Sequence, residues 1–363
     1  MKTRLLAASV ALALLGVTGA FVTPDRTTTV RLAEAPRPTT TSTSTSTTTT
    51  TAPVPPTTPP TAAPTTGAPV MRAASAAVPT TALRPMPTLR TNAPLVPGSP
   101  AAFSGFGAWI DVYDWSAEFT GNKPAVGPND IDRMADLGVQ ALYVQTAHHK
   151  SPNDIVDPHL LRPILNRARA RGMRVIAWYL PTLTDTVKDL NRLLESNALG
   201  VDGVGVDIES RNVGDVNERN RRLIDLSIAF RQRVPGVPIA AIPMPAVLME
   251  VINPNYWPGF PYREIAAAYD AWMPMGYWTS RKADSPYRDA YRYTAENIDR
   301  LRAQLGRNDL PVHPVGGIGD VASAADMDGF HRASAERGAL GGSSYDYRTT
   351  RDDHWPVLQR FRN

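Results

Sequence analysis

The sequence predicts an α/β protein, a single (β/α)8 or TIM barrel preceded by an export signal and a long Thr/Ser/Pro-rich linker. Three observations predict it. From Phe103 onward, eight short β-rich runs alternate with helical stretches. Several of those stretches stop at a glycine directly before the next run, at Gly138, Gly172 and Gly338. The segment that carries them is about 260 residues long, the usual size of one such barrel. The β-rich runs fall at 108–112, 140–145, 174–180, 203–208, 238–242, 271–277, 312–316 and 340–345. The main helical stretches fall at 131–137, 160–171, 186–196, 216–233, 288–305 and 324–337. Eight alternating units in this length favour a closed barrel over an open doubly wound sheet.

The chain divides into residues 1–20, 21–102 and 103–363. Lys2 and Arg4 precede an apolar stretch at 5–22, with Thr18 and Ala20 placed for cleavage after Ala20, which reads as an export signal. The stretch is also near the lower length limit of a membrane span, so an uncleaved anchor that tethers the protein to a membrane is the alternative. Residues 21–102 are dominated by Thr, Ser, Pro and Ala, with an unbroken Thr/Ser run from Thr39 to Thr51. Such a segment buries too little apolar area to offset its ordering entropy and is expected to be disordered. As a stalk it would reach on the order of 200 Å when extended, which suits a domain held off a membrane or working in a cell wall.

The chain contains no cysteine, so stability must come from a large core, and thiolate catalysis and Cys-ligated metal sites are excluded. Its formal charge of +4 comes from the first hundred residues. From residue 101 onward, 30 basic residues face 32 acidic ones, so a nucleic-acid partner has no electrostatic warrant. The expected partner is a glycan or polysaccharide bound by a monomer.

Chemistry is expected at the fourth run, Val201-Asp202-Gly203-Val204-Gly205-Val206-Asp207-Ile208-Glu209. Alternation puts Gly203, Gly205, Asp207 and Glu209 on one face and Val204, Val206 and Ile208 on the other. A carboxylate pair is expensive to desolvate, and the carboxyl end of a barrel strand is where active sites sit. A single acidic residue there would read as a loop cap; Asp-x-Glu above two glycines reads as function. The other strand ends supply Asp111 or Asp114 beside Trp109, then Gln145, Trp178 and Tyr179, Met275, Tyr277 and Trp278, and Tyr345 and Asp346. Rings alternating with carboxylates and amides suit a sugar, whose C–H faces pack on aromatics while its hydroxyls take hydrogen bonds. Trp178 and Tyr179 are adjacent on a strand, so one of them faces outward. Met275 could equally be core filler. The glycines at 316–319 read as a tight turn in preference to a phosphate cradle, and His148, His149, His159, His331 and His354 read as solvated. No strand-end Lys is present for a Schiff base and no His-x-His opens the first strand for a metal-dependent hydrolase, so neither cofactor nor metal is expected.

The run Asp202-Gly203-x-Gly205-x-Asp207-x-Glu209 resembles the signature of family 18 chitinases, in which four acidic positions follow the fourth strand. Met275-Gly276-Tyr277 resembles that family's Met-x-Tyr on the sixth strand. The chain departs from the signature at Gly205, where the second Asp would stand. This departure favours an alternative in which the barrel binds glycan without cleaving it. A second resemblance, to family 25 lysozymes, rests on Asp111, Asp207, Glu209 and Asp346. Ile208-Glu209-Ser210-Arg211 and the stretch from Met273 to Thr279 are similar to those of secreted actinobacterial barrel proteins.

In the glycosidase reading Glu209 is the acid, kept protonated by apolar surroundings and by the charge of Asp207, which orients it. The chitinase resemblance implies that the sugar's own acetamido group is the catalytic partner, hydrogen-bonded by Tyr277. No Glu lies near the seventh strand end, which favours that assistance, or Asp111 or Asp346 as the second carboxylate.

Overall fold

The computed structural model describes residues 89–362. The proposed signal, and the linker as far as residue 88, lie outside the described residues. Eight strands, β1 Gly105–Ile110, β2 Ala141–Gln145, β3 Arg174–Tyr179, β4 Gly203–Ile208, β5 Ile239–Pro243, β6 Ala271–Trp272, β7 Val315–Ile318 and β8 Gly341–Tyr345, form one sheet in the order 6-5-4-3-2-1-8-7. Every ladder is parallel. The two ends of the sheet meet through isolated parallel bridges, Trp272↔Val312 and Met275↔Val315, so it curls round as a TIM-like barrel.

Between the strands lie α1 Pro128–Asp136, α2 Pro158–Ala170, α3 Thr186–Ala198, α4 Val216–Arg233, α5 Ala290–Leu305 and α6 Ala324–Glu336. The stops read from glycine hold: Gly138, Gly172 and Gly338 have φ of 84°, 72° and 56°, which a side chain would disfavour.

Three strands differ from their sequence expectation for identifiable reasons. The first ends at Ile110 because Asp111 caps a one-turn helix, Val112–Trp115. The Asp111 carboxylate accepts from Tyr113 N at 2.8 Å, and Asp114 accepts from Asp111 N at 3.1 Å. The sixth is cut short at Pro274 and the seventh starts only after Pro314, because proline brings no N–H to a ladder. Residues 89–102, which composition assigns to the linker, are packed on the barrel. Gln232 donates to Thr91 O (2.8 Å) and Ala93 O (2.9 Å), Arg90 pairs with Asp225 (2.7 Å), and Gly98 N donates to Asp270 (2.8 Å). Among the described residues no helix is long and apolar enough to cross a membrane.

The outward face of β4 buries Val204, Val206 and Ile208 in one cluster with Leu190 and Leu193 of α3 and Leu223, Leu226 and Phe230 of α4. Burying such side chains is worth roughly 1.5–3 kcal/mol each, so α3 and α4 hold the strand at the register that presents Asp207 and Glu209 inward. Inside the barrel, Tyr143 stacks on Trp109 with centroids 4.4 Å apart, and Trp109 Nε1 donates to Ser343 Oγ at 2.8 Å. His313 is fully buried between Ser343 Oγ and Phe103 O, and burial pushes its pKa down to about 4, so it is a neutral structural imidazole.

Candidate active site

A cavity of about 310 Å3 opens at the carboxyl ends of the strands. Asp207 and Glu209 of the β4 end line it together, as alternation on one strand requires. Asp207 is 8 % exposed and its Oδ1 has no hydrogen-bond partner among the described residues, while Glu209 is half-buried and open to the cavity. Burial pushes the Asp207 carboxyl well above the usual range, and neighbouring Glu209 adds to it. Burial raises Glu209 to about 7. Two carboxyls in one dry site cannot both ionise cheaply, so the pair carries a proton near neutral pH.

The reason that no further acid lies below the pair is geometric. A Cβ on Gly205 would sit 2.7 Å from Ile242 Cδ1 and 3.4 Å from Trp178 Cβ. Ile242 of β5 therefore fills the space that a side chain at position 205 would need. Gly205→Asp is expected to lower stability by about 1–3 kcal/mol through overpacking, and Gly205→Asp with Ile242→Ala should recover part of it. Urea midpoints of the two variants measure this; equal losses would contradict the assignment.

The walls carry most of the rings and amides expected from the sequence. Trp109, Trp178, Met275, Tyr277 and Tyr345 line the cavity, with Gln145, Asp111 and Asp346. Gln145 Oε1 accepts from Val112 N at 3.1 Å, and Asp111 accepts from the Tyr345 hydroxyl at 2.9 Å. Asp346, which follows a cis peptide, accepts from Thr349 N at 2.8 Å. Tyr277 is 4 % exposed; burial first, then Glu209, Asp207, Asp346 and Asp111, push its phenol well above the ordinary value, so it stays a neutral donor. Among the described residues Asp111, Asp114 and Asp346 bring carboxylate oxygens within 4.8 Å of one another, an all-oxygen set of the type that hard cations take. Asp114 also faces Arg348 at 3.4 Å.

Two expected site residues lie elsewhere. Tyr179 points into the helical layer, where its hydroxyl donates to Asp189 at 2.6 Å and accepts from Arg192 at 3.0 Å. Its neighbour Trp178 takes the inward position. Trp278 is fully buried behind the barrel wall against Phe330, with centroids 5.6 Å apart. Two histidines read as solvated are buried. His148 is 8 % exposed, lines the cavity and packs on Phe119, and its pKa is pushed down to about 4, first by burial; His354 is fully covered.

No protein-family model matches the chain. No curated protein matches it either. Solved structures do. A class V chitinase from Pseudomonas fluorescens Pf-5 superposes with a TM-score of 0.51 at 11 % identity, over 70 % of this chain and 99 % of that one. The spore cortex-lytic enzyme SleL of Bacillus cereus gives 0.53 at 12 %, over 72 % and 75 %. SleL of Bacillus megaterium QM B1551 gives 0.51 at 9 %, over 72 % and 74 %. The fold they share with this chain is a TIM-like barrel. At these identities the likeness reaches the architecture alone.

Proposed function

We propose that the protein is a glycoside hydrolase acting on a polysaccharide or cell-wall glycan, with Glu209 as proton donor and Asp207 as the group that holds and orients it. The observation that carries this reading is the carboxyl pair at the β4 end, Asp207 buried and Glu209 half-buried and open to a cavity walled by Trp109, Trp178, Tyr277 and Tyr345. Glycosidic cleavage needs an acid protonated at working pH, and a carboxyl raised to about 7 meets that requirement. The Tyr277 hydroxyl makes no hydrogen bond among the described residues and stays protonated, so it would donate to an acetamido oxygen that traps the developing cation. Of the other carboxylates in the lining, Asp111, Asp114 and Asp346, the first and last are the candidates for a second role. The signal-like N-terminus and the Thr/Ser/Pro segment support export, as a released or tethered enzyme.

The test is release of reducing ends from chitin oligosaccharides and peptidoglycan fragments by the wild type and by Glu209→Gln. Turnover by the wild type that the variant lacks supports the reading. Binding of the same glycans without turnover by the wild type would select a barrel that holds glycan and does not cleave it.

A further inference from the structure

Past the carboxyl end of β4, outside the cavity lining, lies a cationic cluster that the proposed cleavage does not use. Arg211 follows Glu209 by two residues, and Arg219 sits in the first turn of α4. Arg219 is only 3 % exposed, yet its guanidinium makes no hydrogen bond and no ion pair among the described residues, and its Nε is enclosed without a partner. Its supports are aromatic faces: Arg219 lies 4.3 Å over the Trp257 ring and Arg211 4.5 Å over the Tyr256 ring. The two rings are consecutive in the loop after β5, and the Tyr256 hydroxyl donates to the backbone oxygen of Glu209 at 3.3 Å. That hydrogen bond ties the cluster to the catalytic strand.

The nearby acids are committed elsewhere. Glu218 is held by Arg221 and Arg222 at 2.6–2.7 Å, Asp225 by Arg90 and Arg221, and Asp215 caps α4 by accepting from Glu218 N. Burial and the like charge of Arg211 hold the Arg219 guanidinium below its ordinary pKa. Ring faces offset part of the cost of covering such a charge but take none of its five N–H donors. A covered cation with idle donors next to a second cation calls for an anion, and the planar guanidinium fork matches a carboxylate.

We propose that Arg211 and Arg219, framed by Tyr256 and Trp257, form an anion-binding subsite next to Asp207 and Glu209 that takes a carboxylate carried on the glycan. This inference rests on the hydrolase reading for the identity of the chain bound. It narrows the substrate class to acidic glycans, whose carboxylate sits on a carboxyalkyl ether or at C6 of a uronic acid.

The experiment measures binding to the full-length Glu209→Gln protein, so that turnover does not intervene. The probes are a tetrasaccharide containing N-acetylmuramic acid, its methyl ester, and an oligosaccharide of glucuronic acid and N-acetylglucosamine. The expected result is binding of the acid about tenfold or more tighter than the ester at low salt. Arg211→Ala and Arg219→Met, each added to that protein, should bring the two within about threefold while ester binding stays level. Because Arg211 is exposed, its variant is expected to fold even if the Arg219 variant does not. The third probe tells a carboxyalkyl ether from a uronate as the source. Equal binding of acid and ester, no binding of either, or discrimination that survives Arg211→Ala overturns the proposal. Ester cleavage by the wild type without charge preference would remove this subsite and leave the hydrolase reading intact. Charge-selective binding without any cleavage would do the reverse.

Discussion

Glu209→Gln lowers kcat on any glycan the protein cleaves by about 10²–10⁴-fold, the range for losing a positioned general acid. Glutamine keeps the shape of the side chain and removes the proton, so KM should change little while kcat collapses. In the proposed reaction the acid form of Glu209 is the active one. Activity should therefore fall as pH rises through about 7, where the carboxyl is held by its burial. The same displacement acts on stability. In the unfolded chain the group titrates near 4.5 and in the folded protein near 7, so the folded state binds the proton more tightly across that window. Stability consequently declines as pH climbs from about 4.5 to about 7, and Asp207, also raised, acts in the same direction. Thermal unfolding should show Glu209→Gln above the wild type at pH 8 and level with it at pH 4. A variant that keeps most of its turnover, or one less stable than the wild type at pH 8, would sink the assignment of Glu209 as an acid held protonated by its surroundings.

Asp270→Ala costs about 3–5 kcal/mol, because it strands a covered cation. Arg231 of α4 is fully enclosed, and its Nη2 pairs with Asp270 Oδ2 at 2.5 Å, the Asp270 side chain being 3 % exposed. The guanidinium is otherwise spent on the carbonyls of Ala268, Val96 and Val237. Asp270 accepts in addition from Ile239 N and Gly98 N, each at 2.8 Å. One carboxylate thus ties together α4, the start of β5, the residue before β6 and the incoming segment at 89–102. Removing it leaves Arg231 charged with nowhere to go and two backbone donors without acceptors. The urea midpoint should drop with the slope unchanged. A loss below about 1 kcal/mol would mean that water replaces the carboxylate and that the site is less dry than its exposure indicates.

The fourth strand was legible because its alternation is strict and its two faces differ completely in chemistry. Val204, Val206 and Ile208 could only face helices, which left Asp207 and Glu209 to share the cavity. The rule of two also contained the position of Trp278, since a strand end that presents Met275 and Tyr277 inward turns position 278 away. Tyr179 was harder. Either it or Trp178 could be the inward residue, and the deciding contact is across strands, where Trp178 stands opposite Gly205 in register. The filling of the Gly205 gap by Ile242 is likewise a match of volumes between neighbouring strands, invisible along the chain. Residues 89–102 have the composition of the linker before them. What fastens them is mostly backbone hydrogen bonding to Gln232, Arg231 and Arg233, which leaves no trace in hydropathy. His148 is covered by Phe119 from the preceding βα unit, so its burial leaves no signal in the sequence around it.

The methyl-filled gap beneath Asp207 has a consequence for proton traffic. With Ile242 and the Trp178 stem where a side chain at position 205 would project, β4 itself offers the pair no acidic relay from its lower side. In the proposed reaction the proton that Glu209 gives to the leaving oxygen is regained from the water that opens the acetamido-trapped intermediate, and that water enters by the cavity mouth through which the first cleaved sugar departs. Recharging of the acid is thereby tied to departure of the first sugar, which must clear that passage before water can reach the intermediate.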